Sequence, residues 1–186
     1  MRVISGTARG RKLLAPEGFD TRPVTDMIKE ALFSSWQFIV PGARFLDIFS
    51  GSGSMGIEAL SRGASKVVFV EKEKKAVEII KKNLANCKFT EDFTVYQQDA
   101  FRAIDSLKLK GEVYDIIYLD PPFTVDEIFV PVLETLSDGK LLEENGIIAI
   151  RTRRQKEMPE EIGTLKRTKL KFYGVSAVHF YCGKEE

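Results

Sequence analysis

Residues 44–56 constrain the fold most, because they join an apolar strand to a helical pattern through closely spaced glycines. Gly51, Gly53 and Gly56 follow the strand in a G-x-G-x-x-G spacing. This order is typical of the nucleotide-binding turn of an open α/β sheet. A side chain at Gly51 or Gly53 would hold the backbone away from a ligand, and the helix that follows would direct its free N–H groups at the same place. The segment predicts an adenosine-like ligand and leaves its identity open.

Strand-like and helix-like segments alternate after this turn. Near-continuous apolar runs predict parallel strands at 45–49, 66–70, 93–97, 114–119 and 146–151, with helices at 54–62, 74–86, 100–107 and 126–136. Ahead of the first strand, an apolar stripe predicts one more helix, which Pro41 and Gly42 would end; the stripe consists of Ile28, Ala31, Leu32, Trp36 and Ile39. The alternation indicates a parallel sheet with helices on both faces.

The C-terminal part of the chain breaks this alternation. Residues 164–173 and 176–183 are two strand-like runs joined at Gly174 with no helix between them, which predicts an antiparallel pair. A parallel α/β sheet that ends in such a pair is the outline of class I methyltransferases. We therefore predict an α/β, Rossmann-like, seven-stranded and mostly parallel sheet with a C-terminal antiparallel strand pair and a small N-terminal arm.

Composition argues against several classes of protein. The 186 residues suit one α/β domain, and the formal net charge of +1 gives no sign of a nucleic-acid partner by itself. Cys87 and Cys182 stand far apart without a C-x-x-C motif or a histidine cluster, so no metal site is expected. No segment resembles a signal peptide or reaches membrane-spanning length. We expect a cytoplasmic monomer without a membrane partner.

Basic residues cluster at the N-terminus. Residues 1–12 contain Arg2, Arg9, Arg11 and Lys12 and no acidic residue. We interpret residues 1–22 as a basic arm or hairpin and residues 23–186 as the catalytic domain. A second cluster at 151–156 also lacks acids, and for it a solvated face and a binding role are equally good interpretations.

Acidic side chains stand at the carboxyl ends of four predicted strands: Asp47, Glu71, Asp99 and Asp120. Because ligands of open α/β sheets bind beyond these strand ends, we expect the carboxylates to surround one site. Glu71 would accept from ribose hydroxyls, Asp99 from an adenine amino group, and Asp47 would lie near a cationic group of the ligand. Such acids would repel a pyrophosphate, so they favour S-adenosylmethionine. The predicted cofactor site also includes the neighbouring residues Phe49, Gly51, Ser52, Gly53, Lys72 and Ala100.

The tetrapeptide Asp120-Pro121-Pro122-Phe123, hereafter the D-P-P-F tetrapeptide, follows the fourth strand. Two consecutive prolines fix φ and orient the Pro121 carbonyl. That carbonyl and the Asp120 carboxylate would accept both N–H bonds of an exocyclic amino group, aiming the nitrogen lone pair at an electrophile. Phe123 would stack on the ring, as aromatic side chains do on bases. We predict that all four residues form the catalytic site for an unstacked base.

Motifs over the whole chain carry a resemblance to one family. They lie at residues 2–6, 9–13, 22–26, 29–33, 46–53, 56–64, 120–123 and 173–174. By these motifs the chain resembles the bacterial guanine-N2 methyltransferases that act on 16S rRNA of the small ribosomal subunit. The glycine turn and the D-P-P-F tetrapeptide are shared with many amino-methyltransferases, whereas the N-terminal segment and R-P-x-T-D at 22–26 are more specific.

The resemblance implies an activity and a partner. S-Adenosylmethionine would donate a methyl group to N2 of a specific guanine, in 16S rRNA or in a small-subunit assembly particle. The implied RNA-facing residues are Arg2, Arg9, Arg11, Lys12 and Arg22. Three alternatives stay open: an N6-adenine methyltransferase acting on DNA or RNA, an NAD-dependent oxidoreductase, and a non-catalytic RNA-binding assembly protein.

Overall fold

The computed structural model describes residues 1–17 and 25–185. Its helices are α1 (Asp26–Ser35), α2 (Ser54–Ser61), α3 (Lys74–Asn86), α4 (Ala100–Leu109) and α5 (Phe129–Leu136), with a 3₁₀ turn at Asp126–Ile128. Its strands are β1 (Arg44–Ile48), β2 (Lys66–Glu71), β3 (Phe93–Gln97), β4 (Tyr114–Leu119), β5 (Leu142–Arg153), β6 (Glu161–Ile162), β7 (Leu165–Tyr173) and β8 (Ser176–Gly183). No helix within these ranges is both long and apolar enough to cross a membrane.

All of these strands belong to one sheet, in the order β3-β2-β1-β4-β5-β8-β7-β6. The first five in this order pair in parallel, and β8, β7 and β6 add to β5 in antiparallel fashion. The predicted class I methyltransferase fold is confirmed. The two-residue strand β6, which the sequence did not reveal, pairs with the start of β7 and extends the predicted seven strands to eight.

Helix α1 begins as predicted and ends earlier. Thr25 caps its N-terminus by accepting a hydrogen bond from the backbone N–H of Ile28 at 3.3 Å. After Trp36 the chain turns, and the N–H groups of Ile39 and Val40 both donate to the Trp36 carbonyl. The turn buries Val40 and leaves Ile39 42% exposed. The apolar spacing that included Ile39 therefore reflects a turn after the helix.

Strand β5 starts at Leu142, earlier than the predicted start at Gly146. Its register against β4 shifts between Tyr114 and Ile116, which pair with Leu142 and Ile147. Residues 143–146 of β5 therefore lie opposite the single residue Asp115 of β4 at this irregularity. Their polar character concealed the start of the strand from an apolar pattern.

The sheet is covered on both faces, which explains why its central strands are almost entirely apolar. On one face, side chains such as Phe45 and Val67 pack with α1, α2 and the N-terminal segment. On the other face, their neighbours Leu46 and Val68 pack with α4 and α5. The carboxyl ends of the parallel strands meet at one edge between these two layers.

The N-terminal segment packs firmly against the domain. Val3, Ala8 and Leu13 are buried in the same cluster as α1 and α2. The buried carboxylate of Glu58, on α2, accepts hydrogen bonds from the backbone N–H groups of Ile4 (2.9 Å) and Ser5 (3.0 Å). Backbone hydrogen bonds between residues 1–3 and 10–13 give the segment a hairpin form, with an isolated bridge between residues 2 and 12. Residues 1–13 of the basic arm are thus packed on the folded core.

A fully buried ion pair supports this packing. The ammonium group of Lys29 lies 3.5 Å from the Glu58 carboxylate, and neither side chain is exposed. Burial lowers the pKa of Lys29, while the charge of Glu58 opposes that shift. Lys29 also donates to Ser54 Oγ and to the Arg2 carbonyl. Helices α1 and α2 and the N-terminal segment therefore meet at one charged contact.

Glu58→Ala is expected to lower the free energy of unfolding by about 3–5 kcal/mol, because it leaves Lys29 buried without its counter-charge. Urea denaturation at neutral pH measures this difference. The matched control is Glu78→Ala, since Glu78 is an exposed acid on α3 and its loss should cost less than about 0.5 kcal/mol. Equal effects of the two variants would contradict a structural role for the buried pair.

Candidate active site

The glycine turn between β1 and α2 requires unusual backbone angles. Phe49, Gly51 and Gly53 all have positive φ, at 61°, 56° and 78°. Gly56 is needed for another reason, because a Cβ there would lie 2.3 Å from the Phe69 ring of β2. At Gly51, by contrast, a Cβ would meet nothing within 4 Å. Two of the glycines therefore shape the turn and the third lets α2 pack closely on the sheet.

Glu71 joins the end of β2 to this turn. One carboxylate oxygen accepts from the N–H of Gly51 at 2.9 Å, and the other accepts from the N–H of Glu73 at 3.0 Å. Each oxygen keeps a lone pair for a further donor, because a carboxylate offers about four acceptor positions. Glu71 is thus held in a fixed orientation at the strand end where the sequence predicted a ribose-binding acid.

Asp99 caps the N-terminus of α4. Its Oδ1 accepts from the N–H groups of Phe101 (3.0 Å) and Arg102 (3.3 Å). These two bonds use Oδ1, so Oδ2 is available to a ligand donor such as an amino group.

A cavity of roughly 510 Å³ opens at the carboxyl edge of the sheet. Its size is within the range of small-molecule sites. Eight residues of the predicted site line it: Phe49, Gly51, Glu71, Lys72, Asp99, Ala100, Asp120 and Pro122. Val70, Glu73, Gln98, Thr124, Val125 and Ile128 complete the lining. The parallel strands have therefore brought together most of the residues predicted from separate parts of the sequence.

Five predicted residues are not among those that line the cavity: Asp47, Ser52, Gly53, Pro121 and Phe123. Asp47 is buried at 1% exposure, and its Oδ2 accepts from the N–H of Gly56 at 3.1 Å. Burial raises the pKa of Asp47 well above its ordinary value, and the charges of Asp120 and Glu71 add to the shift. A cationic ligand group nearby would oppose that shift.

The Asp120 carboxylate forms a bidentate ion pair with Arg151, near the end of β5. Nε of Arg151 lies 2.9 Å from Oδ1, and Nη2 lies 3.0 Å from Oδ2. The Arg151 residue is only 3% exposed. Burial raises the pKa of Asp120, and Arg151 opposes this shift by its charge and its hydrogen bonds. The guanidinium therefore favours the ionised carboxylate that an amino-group acceptor needs.

Arg151 also contacts the aromatic residue of the D-P-P-F tetrapeptide. Its guanidinium carbon lies 4.9 Å from the centroid of the Phe123 ring, a cation–π distance. The ring also lies near that of Phe129 in α5, with centroids 6.4 Å apart. One buried arginine thus holds both the acid and the aromatic ring of the tetrapeptide.

Sequence reasoning missed this role of Arg151. It placed Arg151 in a surface-like basic cluster at 151–156, whereas the structure buries Arg151 and leaves Arg153 and Arg154 exposed. A signal was available, because Arg151 ends an apolar strand whose neighbour β4 ends in an acid. The pairing partner could not be identified without knowing that β4 and β5 are adjacent.

The predicted RNA-facing residues lie on the exposed side of the N-terminal segment. Arg2, Arg9, Arg11 and Lys12 are all exposed, and Arg2 pairs with Asp26 at 3.3 Å. Arg22 lies outside the described residues. The turn that carries Arg9 begins at Gly6, which packs against Ser61 at the C-terminal end of α2. Helix α2 starts at the glycine turn, so this end is the one further from the cavity. An RNA role for these residues stays a prediction.

Comparisons with known proteins agree with this architecture. Residues 1–182 match the model of the family described as Conserved hypothetical protein 95. The chain belongs to this family. In Bacillus subtilis (strain 168), YlbH, described as a candidate rRNA methyltransferase, is 39% identical over 181 residues, covering 97% of this chain and 98% of its own.

A further relative and a solved structure support the assignment. Ribosomal RNA small subunit methyltransferase D of Haemophilus influenzae is 36% identical over 171 residues, covering 89% of this chain and 86% of its own. A solved Escherichia coli structure described as a candidate methyltransferase, yhhF, has a TM-score of 0.83 at 30% identity and covers 100% of this chain and 99% of its own. The resemblance inferred from the sequence is confirmed at the level of the family and the fold.

Arg151→Met is expected to destabilise the protein by about 3–5 kcal/mol when Asp120 is ionised, because a buried carboxylate loses its cation. Without Arg151, the pKa of Asp120 rises further in the folded variant. Over a range of pH the folded variant therefore holds a proton on Asp120 that the unfolded chain has released. Its loss of stability should therefore grow as pH rises from about 5 to about 8 and shrink as pH falls. Thermal melts at both pH values, for the variant and the wild type, measure this trend.

The matched control is the double variant Asp120→Asn/Arg151→Met, which has no acid to titrate at this position. Its deficit relative to the wild type should change much less with pH than that of Arg151→Met. A deficit of Arg151→Met that stays constant across the range would contradict electrostatic control of Asp120 by Arg151.

Proposed function

We propose that this chain transfers a methyl group from S-adenosylmethionine to the exocyclic N2 of a guanine in 16S rRNA, free or in a small-subunit assembly particle. The observation that carries the proposal is the D-P-P-F tetrapeptide at the rim of the cavity, with Asp120 held by Arg151. The relatives described as rRNA methyltransferases support the substrate class.

The cavity suits S-adenosylmethionine by its size and its acids. Bound there, this cofactor would supply an electrophilic methyl group on a positively charged sulfur. Glu71 would accept from ribose hydroxyls and Asp99 from the adenine amino group, since both carboxylates retain acceptor positions. The buried Asp47 favours a cationic ligand, because a positive charge nearby would lower the pKa that burial has raised. Among the described residues, no cluster of histidine, cysteine or acidic side chains could hold a metal ion.

The D-P-P-F tetrapeptide would hold the acceptor amino group. The Asp120 carboxylate has lone pairs left after its two bonds to Arg151, so it would accept one N–H of the guanine amino group. The carbonyl of Pro121 would accept the other, and Phe123 would stack on the base. Both hydrogen bonds draw the nitrogen towards a tetrahedral geometry and direct its lone pair at the methyl group. The nitrogen would release its proton after the methyl group has been transferred.

Arg151 would act through Asp120 as a positioning residue. It favours the ionised carboxylate, because it opposes the upward shift that burial gives the pKa of Asp120, and it fixes both carboxylate oxygens by hydrogen bonds. The proposed contribution of the carboxylate is hydrogen bonding to the amino group. This agrees with a mechanism that needs no proton removal before attack.

The direct test uses methyl-labelled S-adenosylmethionine, the purified chain, and either 16S rRNA or small-subunit particles from cells that lack this protein. N2-methylguanine in the digested product is the expected result. N6-methyladenine would instead support the adenine alternative, and no modified nucleoside in either substrate would overturn the proposal. Thermal shifts with S-adenosylmethionine and with NAD, measured in parallel, separate a methyltransferase from an oxidoreductase.

Asp120→Ala is expected to lower the rate of methyl transfer by roughly 10²-fold or more, as removal of a key polar contact does in other enzymes. Cofactor affinity should stay within a few-fold of the wild type. Because Asp120→Ala leaves Arg151 buried without its acid, the double variant Asp120→Ala/Arg151→Met is measured beside Arg151→Met alone. Near-normal turnover in a folded Asp120→Ala protein would show that the carboxylate is not an acceptor in the reaction.

Glu71→Ala should weaken S-adenosylmethionine binding by roughly 10- to 100-fold, since hydrogen bonds to a charged group are lost. Calorimetry measures the dissociation constant. Glu71→Gln is the matched control, because its one remaining carbonyl oxygen should retain part of the affinity. An unchanged dissociation constant in Glu71→Ala would remove Glu71 from the proposed ribose site.

A further inference from the structure

The C-terminal hairpin carries a concentration of positive charge. Residues 151–184 contain nine lysines and arginines and three acidic residues, whereas the whole chain has a formal net charge of +1. The remaining residues are therefore acidic overall. We call the group at the tip of β7–β8 and the end of β5 the hairpin surface; it consists of the exposed residues Arg153, Arg154, Lys169, Phe172 and Val175 and the half-buried Lys171.

The tip of the hairpin is an organised aromatic and cationic platform. The guanidinium carbon of Arg154 lies 4.6 Å from the centroid of the Phe172 ring. The backbone N–H of Arg154 donates to the Val175 carbonyl at 2.8 Å, and its side chain donates to the Gly174 carbonyl at 3.2 Å. Phe172 is nevertheless 50% exposed and Val175 57% exposed. A fixed aromatic ring with a free face is a surface on which a base can stack.

Two lysines on β7 lie close together on one side of the same hairpin. Lys169 and Lys171 are alternate residues of the strand, so their side chains share a face, and Phe172 projects from the opposite face. The neighbouring Lys169 side chain lowers the pKa of Lys171. Two neighbouring ammonium groups repel each other, and an anion beside them would relieve the repulsion. Phosphate is the anion that an RNA backbone supplies.

The hairpin surface is continuous with the proposed active site. Arg151 and Arg153 are alternate residues of β5, and Arg151 pairs with Asp120 of the D-P-P-F tetrapeptide. The register pairs Arg153 with Ser176, the first residue of β8. The hairpin tip therefore lies at the same edge of the sheet as the cavity. A strand whose base entered beside Phe123 would pass the hairpin surface with its neighbouring nucleotides.

We infer that the hairpin surface binds the RNA strand that flanks the target base where this strand crosses the hairpin tip, with Phe172 stacking on a neighbouring base on one face and the lysines and Arg153 contacting phosphates on the other. This inference rests on the proposed function. Positive charge together with an exposed aromatic ring is the combination by which proteins bind single-stranded RNA. The basic residues Arg9 and Arg11 are carried by a segment that extends away from the cavity, so they are less well placed for these flanking nucleotides.

The test compares variants of the full chain in binding to 16S rRNA, by fluorescence anisotropy over a range of salt concentrations. Arg153→Gln/Lys171→Gln removes two charges from the hairpin surface, and Arg9→Gln/Arg11→Gln removes two from the N-terminal segment. Phe172→Leu removes the aromatic ring without changing charge, and Phe172→Tyr keeps the ring. All these positions lie at the surface, so melting temperatures serve to confirm that the variants fold.

The double variant Arg153→Gln/Lys171→Gln should bind RNA several-fold more weakly than the wild type. The slope of the logarithm of its binding constant against the logarithm of salt concentration should be smaller in magnitude by about 1.4, as expected for two lost contacts to single-stranded phosphates. The double variant Arg9→Gln/Arg11→Gln should change the affinity and the salt slope by smaller amounts. Phe172→Leu should weaken binding by roughly 5- to 100-fold, and Phe172→Tyr should stay near the wild type. S-Adenosylmethionine affinity should be unchanged in all four variants.

The inference would be overturned if Arg153→Gln/Lys171→Gln and Phe172→Leu both bound RNA with the affinity and salt slope of the wild type. Equal losses in the two charge pairs, with no effect of Phe172→Leu, would overturn it too, because overall charge would then explain binding. A failure of the proposed function would be recognised by a different result, because the wild-type chain would then transfer no methyl group to RNA.

Discussion

The parallel hydrogen-bond register of β1 to β5 is the constraint from which the site follows. It makes strands that are far apart in sequence end at one edge, so that the glycine turn, Glu71, Asp99 and Asp120 come to face one cavity. Helices on both faces exclude water from the sheet. Burial raises the pKa of two acids near this edge, Asp47 and Asp120, and the charges beside them strengthen or oppose that shift.

Arg151 supplies that control for Asp120. Without it, burial alone would favour the protonated acid, which is a worse acceptor for an amino group. The same guanidinium lies over Phe123, so the acid and the stacking ring are positioned by one side chain. Because β5 also pairs with β8, the strand that carries Arg151 lies directly beside the basic hairpin. The proposed chemistry and the proposed RNA contact are thus neighbours on one strand.

The N-terminal segment shows how a basic sequence can also be structural. Its backbone N–H groups bond to Glu58, and Val3, Ala8 and Leu13 belong to the core. Burying Lys29 and Glu58 costs free energy, and either charge without its partner would destabilise the fold, so the two residues depend on each other. Charge on the outside of this segment and apolar packing on its inside are compatible, since they involve different side chains.

The sequence by itself determined the fold class, the order of the elements and most of the cavity lining. Apolar periodicity and the glycine spacing are local signals, and strand-end acids reach one place in any parallel sheet. It did not give the early end of α1, the polar start of β5, or the strand β6, because those depend on contacts with distant residues. Only the tertiary structure decided that Arg151 is a buried partner of Asp120 while Arg153 and Arg154 face outward. Alternation along a strand predicts which residues share a face. The pairing of β4 with β5 then decides that Arg151 lies beside Asp120.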